Sequence, residues 1–135
     1  MELLKWCADY SVGINEIDEQ HMAIIVMINK IYAGIKTGKG NLNLAACMGE
    51  LVNYTAFHFR YEEKLLERNG YPQSDLQKQQ HKELIAKLMM YKVNYEAGIS
   101  IFSPEIITFL KDWFVKQIIQ LDKNYSPFLQ NKILE

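Results

Sequence analysis

Apolar side chains return every three or four positions along most of the chain, the period of an α-helix with one buried face. The returns form four runs. The first is His21, Ile25, Ile28, Tyr32 and Ile35; the second is Leu44, Cys47, Leu51, Thr55, His58, Glu62 and Leu65. Gln77, His81, Leu84, Leu88, Tyr91 and Tyr95 make the third, and Ile106, Leu110, Trp113, Gln117 and Leu121 the fourth. Turn-forming stretches separate them: Lys36-Thr37-Gly38-Lys39-Gly40-Asn41, Asn69-Gly70-Tyr71-Pro72, and Gly98 to Pro104. Ser74 with Gln77 predicts a capping box, Ser103-Pro104-Glu105 a helix opening, and Ser126-Pro127 one further short helix. No alternating strand pattern competes. Four helices with short connections predict an all-α fold, an antiparallel up-down-up-down four-helix bundle. Residues 1–135 read as one domain, with an N-terminal arm (1–17), the bundle (18–122) and a C-terminal extension (123–135) carrying the short helix.

Composition narrows the function classes. The 135 residues are 49% apolar and 23% charged with net charge −1, which excludes disorder and gives no electrostatic footprint for nucleic acid or an anionic membrane. Cys7 and Cys47 follow no metal-binding or redox spacing, so a reducing compartment is expected. Glu2, Asp9, Glu16, Asp18 and Glu19 interrupt any signal-peptide core, and no apolar run approaches the ~20 residues of a membrane span. A soluble, cytoplasmic protein is the expectation; oligomeric state is not set by the sequence.

The informative positions are those that break the apolar stripes. His21, His58, Glu62, Gln77, His81 and Gln117 stand on them, with Asp122 just past the fourth. In an antiparallel bundle the starts of helices one and three lie beside the ends of helices two and four. The intruders therefore meet at one end, within about 11 Å or two helical turns. Singly, each has an ordinary explanation: a hydrogen-bonded core histidine, a solvated Glu62-Glu63 face, an Asp122-Lys123 surface pair, Gln77 in its capping box. Together they bury three imidazoles and two carboxylates with no stripe lysine or arginine to neutralise them, which favours a bound cation. His58 and Glu62, four residues apart, project from one helix face and are able to grip one ion. Imidazole with carboxylate suits iron, zinc or manganese rather than calcium. Gln117 and Asp122 are five apart, a step that a local π-bulge would realign.

These residues resemble the hemerythrin family, and specifically its bacterial members. The likeness runs over nearly the whole chain: Val12-Gly13-Ile14, Ile17-Asp18-Glu19-Gln20-His21, His58-Phe59-Arg60-Tyr61-Glu62-Glu63, Tyr71-Pro72, His81-Lys82, Trp113-Phe114 and Asp122-Lys123-Asn124-Tyr125. The resemblance implies a bundle holding two non-haem irons bridged by Glu62 and Asp122. It gives His21 and His58 to the iron with the open O2 position, and positions 77, 81 and 117 to the other. Only His81 of those three is histidine; Gln77 and Gln117 are degenerate ligand positions. An amide oxygen is a weak ligand beside imidazole, so the second site is expected to be empty, weak or differently filled. The expected metal set is His21, His58, Glu62, His81 and Asp122, with Trp113, Phe114 and Ile118 as an apolar wall for the open position.

The expected cofactor is therefore iron, mononuclear rather than dinuclear, with zinc fitting the same donors. The expected partners are the metal ion and O2 or another small diatomic, with no nucleic acid and no membrane. No catalytic residue is assigned. Reversible O2 carriage in the family draws one electron from each of two irons, so a one-iron copy is expected to bind or sense rather than carry. The rival readings are a mononuclear iron enzyme acting on peroxide or nitric oxide, and a structural or signalling bundle with a vestigial site. Trp6, Tyr10, Val12 and Ile14 are expected to pack over the bundle, Met89-Met90 to fill core, and Tyr61, Tyr91 and Tyr125 to approach the metal as supporting donors.

Overall fold

The structure is a computed structural model that describes residues 2–37, 44–97 and 104–134. A short 3-10 turn, Ala8–Tyr10, precedes α1 (Asn15–Thr37), α2 (Leu44–Arg68), α3 (Ser74–Glu96) and α4 (Pro104–Asp112). A π-helical stretch, Trp113–Ile119, continues α4 without a break into α5 (Gln120–Leu134). No described residue is in a strand. The glycine-rich cut after Thr37 and the Ser103 opening signal lie mostly outside the described residues.

Side-chain contacts fix the antiparallel order. Lys30 meets Glu50 at 3.8 Å while His21 meets His58 at 3.1 Å, so α1 and α2 run in opposite directions. Between α2 and α3, Glu67 pairs with Lys78 and Glu63 with His81. The Trp113 indole N–H donates to the Leu84 carbonyl at 3.0 Å, and Gln77 reaches Asp122, which lays the fourth helix antiparallel on α3. This is the four-helix bundle that the stripes predict.

Two apolar clusters form the core. The larger fills the middle with Ile24, Ile25, Ile28, Leu51, Phe59, Leu84, Leu88, Leu110, Trp113, Phe114 and Ile118 among others. The smaller closes one end with Val12, Ile14, Ile17, Leu66, Tyr125 and Leu129. The polar layer falls between them, about one turn from Ile17, Leu66 and Tyr125 on one side and from Ile24 and Ile118 on the other. Both flanks of that layer are apolar, and His21, His58, Glu62 and Asp122 within it are fully buried.

The arm is tied down at both ends. Asn29 accepts the Leu3 and Leu4 N–H groups at 2.9 Å and returns a bond to the Leu4 carbonyl at 2.8 Å. Asp18 accepts the Val12 N–H at 2.9 Å, and the Val12 carbonyl accepts Ser126 Oγ at 2.6 Å and Gln130 Nε2 at 2.8 Å. Gly13 sits at φ +76°, and a Cβ there would stand 2.2 Å from Gln130 Nε2, so only glycine fits this crossing. The turn after α2 is a glycine stop of the usual helix-ending kind. Gly70 has φ +70°, and Tyr71 N–H closes on the Leu66 carbonyl at 3.0 Å.

Three local expectations are corrected. The Ser74–Gln77 capping box does not form: Gln73 occupies the cap position without a side-chain bond, and the buried Ser74 hydroxyl has no partner. Ser74 is one residue too late to cap, and Gln77 is drawn inward instead. No separate helix begins at Ser126; α5 runs through Pro127. Pro127 forfeits one backbone bond, while buried Tyr125 and Leu129 and the Ser126 bond to the arm hold the helix straight on. The second stripe ends on fully buried Leu66, with Leu65 half-buried beside it.

Candidate metal centre

Four buried side chains from three helices meet at one point. His21 (α1), His58 and Glu62 (α2) and Asp122 (α5) are all 0% exposed, with one donor atom from each lying within 4.8 Å of the others. His21 Nε2 is 2.8 Å from Asp122 Oδ2 and 3.1 Å from His58 Nε2. His58 Nε2 is in turn 3.1 Å from Glu62 Oε1 and 3.5 Å from Asp122 Oδ2. Two imidazole nitrogens face each other with carboxylate oxygens around them. A single proton satisfies one such contact; a cation at the centre satisfies them all.

The remaining atoms of these groups are held from outside. His58 Nδ1 meets Gln20 Oε1 at 2.6 Å, which makes Nδ1–H the donor and leaves the Nε2 lone pair aimed at the centre. The Tyr125 hydroxyl donates to Glu62 Oε2. Gln77 Nε2 donates to Asp122 Oδ1 at 3.2 Å. Glu62 Oε1 is a buried oxygen with no hydrogen bond, and it faces His58 and His81 without the alignment of one. An orphaned anionic oxygen is costly, and it is the donor a metal ion requires. The residues therefore fit a metal of the type that takes imidazole and carboxylate together.

His81 stands beside this set. Its Nε2 is 3.4 Å from Glu62 Oε1, its Nδ1 is bonded to Glu63 Oε2 at 2.8 Å, and its ring stacks on Phe59 at 3.8 Å. Gln77 is 2% exposed and lies 3.3 Å from His81 Nε2. Gln117 goes elsewhere: its Oε1 accepts Lys87 Nζ at 3.0 Å on the outer side of the bundle. The expectation that Gln117 faces the core with Trp113 and Leu121 is thus corrected. The π-helical stretch supplies the extra residue that brings Asp122 inward, and Gln117 within it is turned to the outer side.

Charge balance in the metal-free site follows from these contacts. Burial alone would lower the His58 pKa; the Glu62 charge and the close carboxylate oxygens of Asp122 and Glu62 overcome it and raise it to about 10. Burial opposes ionisation of Glu62 as well, but the His58 charge and the nearness of the His58 and His81 ring nitrogens, at 3.1 and 3.4 Å, hold its pKa well below the usual range. Asp122 moves up, through burial and then the nearby Glu62 charge. Two carboxylates this close are pushed apart in pKa, Glu62 downward and Asp122 upward.

On the interior side the surroundings change character. Phe114 packs edge-on against the His21 ring at 5.8 Å, and Trp113, Phe114 and Ile118 are all 0% exposed. Trp113 spends its N–H on α3, so its role in this wall is packing. Thr55, one turn before His58 on the same stripe, is fully buried and its hydroxyl makes no hydrogen bond.

Sequence reasoning missed two supporting residues. Gln20 and Glu63 sit next to ligand-type residues rather than on a stripe, and the only signal for them is that adjacency. Tyr125 comes to Glu62 as expected. Tyr61 packs at the rim of the smaller cluster, and Tyr91 stacks on Phe109 at 4.2 Å, away from the centre.

Comparison with known proteins agrees with this geometry. The family profile described as "Hemerythrin HHE cation binding domain" matches residues 12–129. Bacteriohemerythrin of Stenotrophomonas maltophilia (strain R551-3) is 35% identical over 126 residues, covering 93% of this chain and 81% of that protein. Bacteriohemerythrin of Pseudomonas aeruginosa (strain UCBPP-PA14) is 33% identical over 135 residues, covering 100% and 87%. The crystal structure of a wild-type hemerythrin superposes with TM-score 0.84 at 27% identity, over 94% of this chain and 98% of that one. No helix among the described residues is long and apolar enough to cross a membrane.

Proposed function

The chain belongs to the hemerythrin family, and from that premise we propose that it holds a single iron at His21, His58, Glu62 and Asp122 and binds O2 or a similar small ligand there. The observation that carries this is the burial of two carboxylates against converging imidazole nitrogens, with histidines as their only ion-pair partners among the described residues. Iron held by these residues would supply Lewis-acid and one-electron redox chemistry.

This chain's own residues do the rest. Gln20 fixes the His58 ring and its tautomer, Tyr125 and Gln77 orient the two carboxylates, and Phe114 with Ile118 keeps water from the interior side. His81 lies at the edge, engaged by Glu63.

The single-iron reading rests on the two glutamines. In a paired site, positions 77 and 117 would bring donors to the second metal. Here the Gln77 amide nitrogen is turned to Asp122 and Gln117 is turned to Lys87. Zinc fits the same donors, and elemental analysis of protein purified from iron-containing medium distinguishes the two. The expected result is closer to one iron per chain than two. Two irons per chain with the absorption bands of an oxo-bridged pair would overturn it. As a further arm of that measurement, Gln77→His with Gln117→His should raise metal content toward two.

A further inference from the structure

The polar layer leaves one buried group unexplained. Thr55 is 0% exposed, and its hydroxyl has no hydrogen-bond partner. A helical threonine normally returns its hydroxyl to the carbonyl one turn back, here that of Leu51, and this bond is not made. Its companions on α2 are no help: Leu51 and Phe59 are buried hydrocarbon. Leaving such a donor unsatisfied costs about 1–3 kcal/mol, and valine would fill the same space without that cost.

The position of Thr55 gives the cost a use. Thr55 and His58 are three residues apart on one buried helix face, so their side chains are neighbours about 4.5 Å apart along the axis. Around the centre, Tyr125, Gln77 and His81 occupy the outer and α3 sides with hydrogen bonds already made. The interior side holds the apolar Phe114 and Ile118, and there Thr55 is the one buried hydroxyl on the α2 stripe. A small ligand on the metal that extends into this apolar side has the Thr55 O–H as its available donor.

We infer that Thr55 is a specificity-determining residue: its buried hydroxyl donates a hydrogen bond to the outer atom of a small, negatively polarised ligand held at the metal. The inference rests on the metal-site reading above and deepens it. The chemical class so favoured is an anion, or a molecule that gains negative charge on binding iron, with an acceptor atom at its far end. A ligand with no charge on its outer atom gains nothing from Thr55.

Azide on the ferric protein is the probe, with Thr55→Val and Thr55→Ser as variants. Iron content is measured first, then azide affinity by optical titration, then the thermal midpoint of each metal-free protein. Thr55→Val should load iron as the parent does and bind azide roughly ten-fold more weakly, the loss of one hydrogen bond to a charged acceptor. Thr55→Ser, which keeps the hydroxyl, should stay within about three-fold of the parent on the same scale. The metal-free Thr55→Val protein should melt no lower than the parent, because its hydroxyl serves nothing inside the fold. Equal iron content with unchanged azide affinity in Thr55→Val overturns the assignment of Thr55 alone. So does a metal-free Thr55→Val protein whose midpoint falls by about 4 °C or more, since a drop near 1 kcal/mol would mean the hydroxyl is satisfied by the protein. If the parent chain takes up no iron, the metal-site reading falls and this inference falls with it.

Discussion

A carboxylate at 0% exposure needs partners on both oxygens, and Glu62 has divided them. Oε2 takes the Tyr125 hydroxyl, while Oε1 is left facing His58 and His81. Tyr125 thus sets which oxygen points at the centre. Replacing it by phenylalanine keeps the packing of the ring and removes only that restraint. Tyr125→Phe should weaken metal binding by about 10–100-fold in competition with a chelator, the usual cost of losing a group that orients a ligand, with helicity unchanged. Affinity within two-fold of the parent would show that Glu62 is positioned by the metal alone. The same scale separates what the sequence discloses from what it hides. His21, His58 and Glu62 are readable because a charge or an imidazole on an otherwise apolar stripe is anomalous, and Asp122 because it follows the fourth stripe at the same end of the bundle. Gln20 and Glu63 are not, because each lies off the stripe and acts only through the outward Nδ1 of a histidine.

At the level of helices, the three-four stripes locate α1, α2 and α3 to within a few residues because tertiary packing and period agree there. The fourth is legible only in part. A regular 3.6-residue count puts Gln117 on the core face, whereas Trp113–Ile119 is π-helical and carries one residue more per turn. That extra residue shifts everything beyond it by about 100°. Asp122 then falls in line with Leu110 and Phe114, whereas an unbroken α-helix would turn it about 120° away from Leu110. Deleting Val115, a half-buried residue inside the stretch, removes the extra residue. The deletion should keep most of the helical circular dichroism and lower metal content at least ten-fold, because Asp122 leaves the centre. A deletion protein that still loads metal as the parent does would show that the π-helical turn is incidental to the site. The Ser74 and Ser126 signals fail for a related reason: each is a local preference, overruled by what Gln77 and α5 reach across the bundle.

For the whole molecule, one end of the bundle is a stack of an apolar cap, a charged layer and the main core. The arm crosses that end through Val12, Ile14 and the Gly13 turn, so the layer is sealed rather than open. Sealing makes the charges expensive in the absence of a cation and makes the cation a cross-link between α1, α2 and α5 in its presence. An ion bound only by the folded chain stabilises it by about 4 kcal/mol when its free concentration is 1,000 times the dissociation constant. For a chain of this length each kcal/mol moves the thermal midpoint by about 4 °C. Removing metal with a chelator should therefore lower the midpoint by roughly 16 °C, and restoring ferrous ion under anaerobic conditions should recover it. An unchanged midpoint would point instead to the structural or signalling bundle with a vestigial site. In that case the His58 imidazolium and the Glu62 carboxylate would neutralise each other as they do in the metal-free state, and the layer would be held by that pair alone.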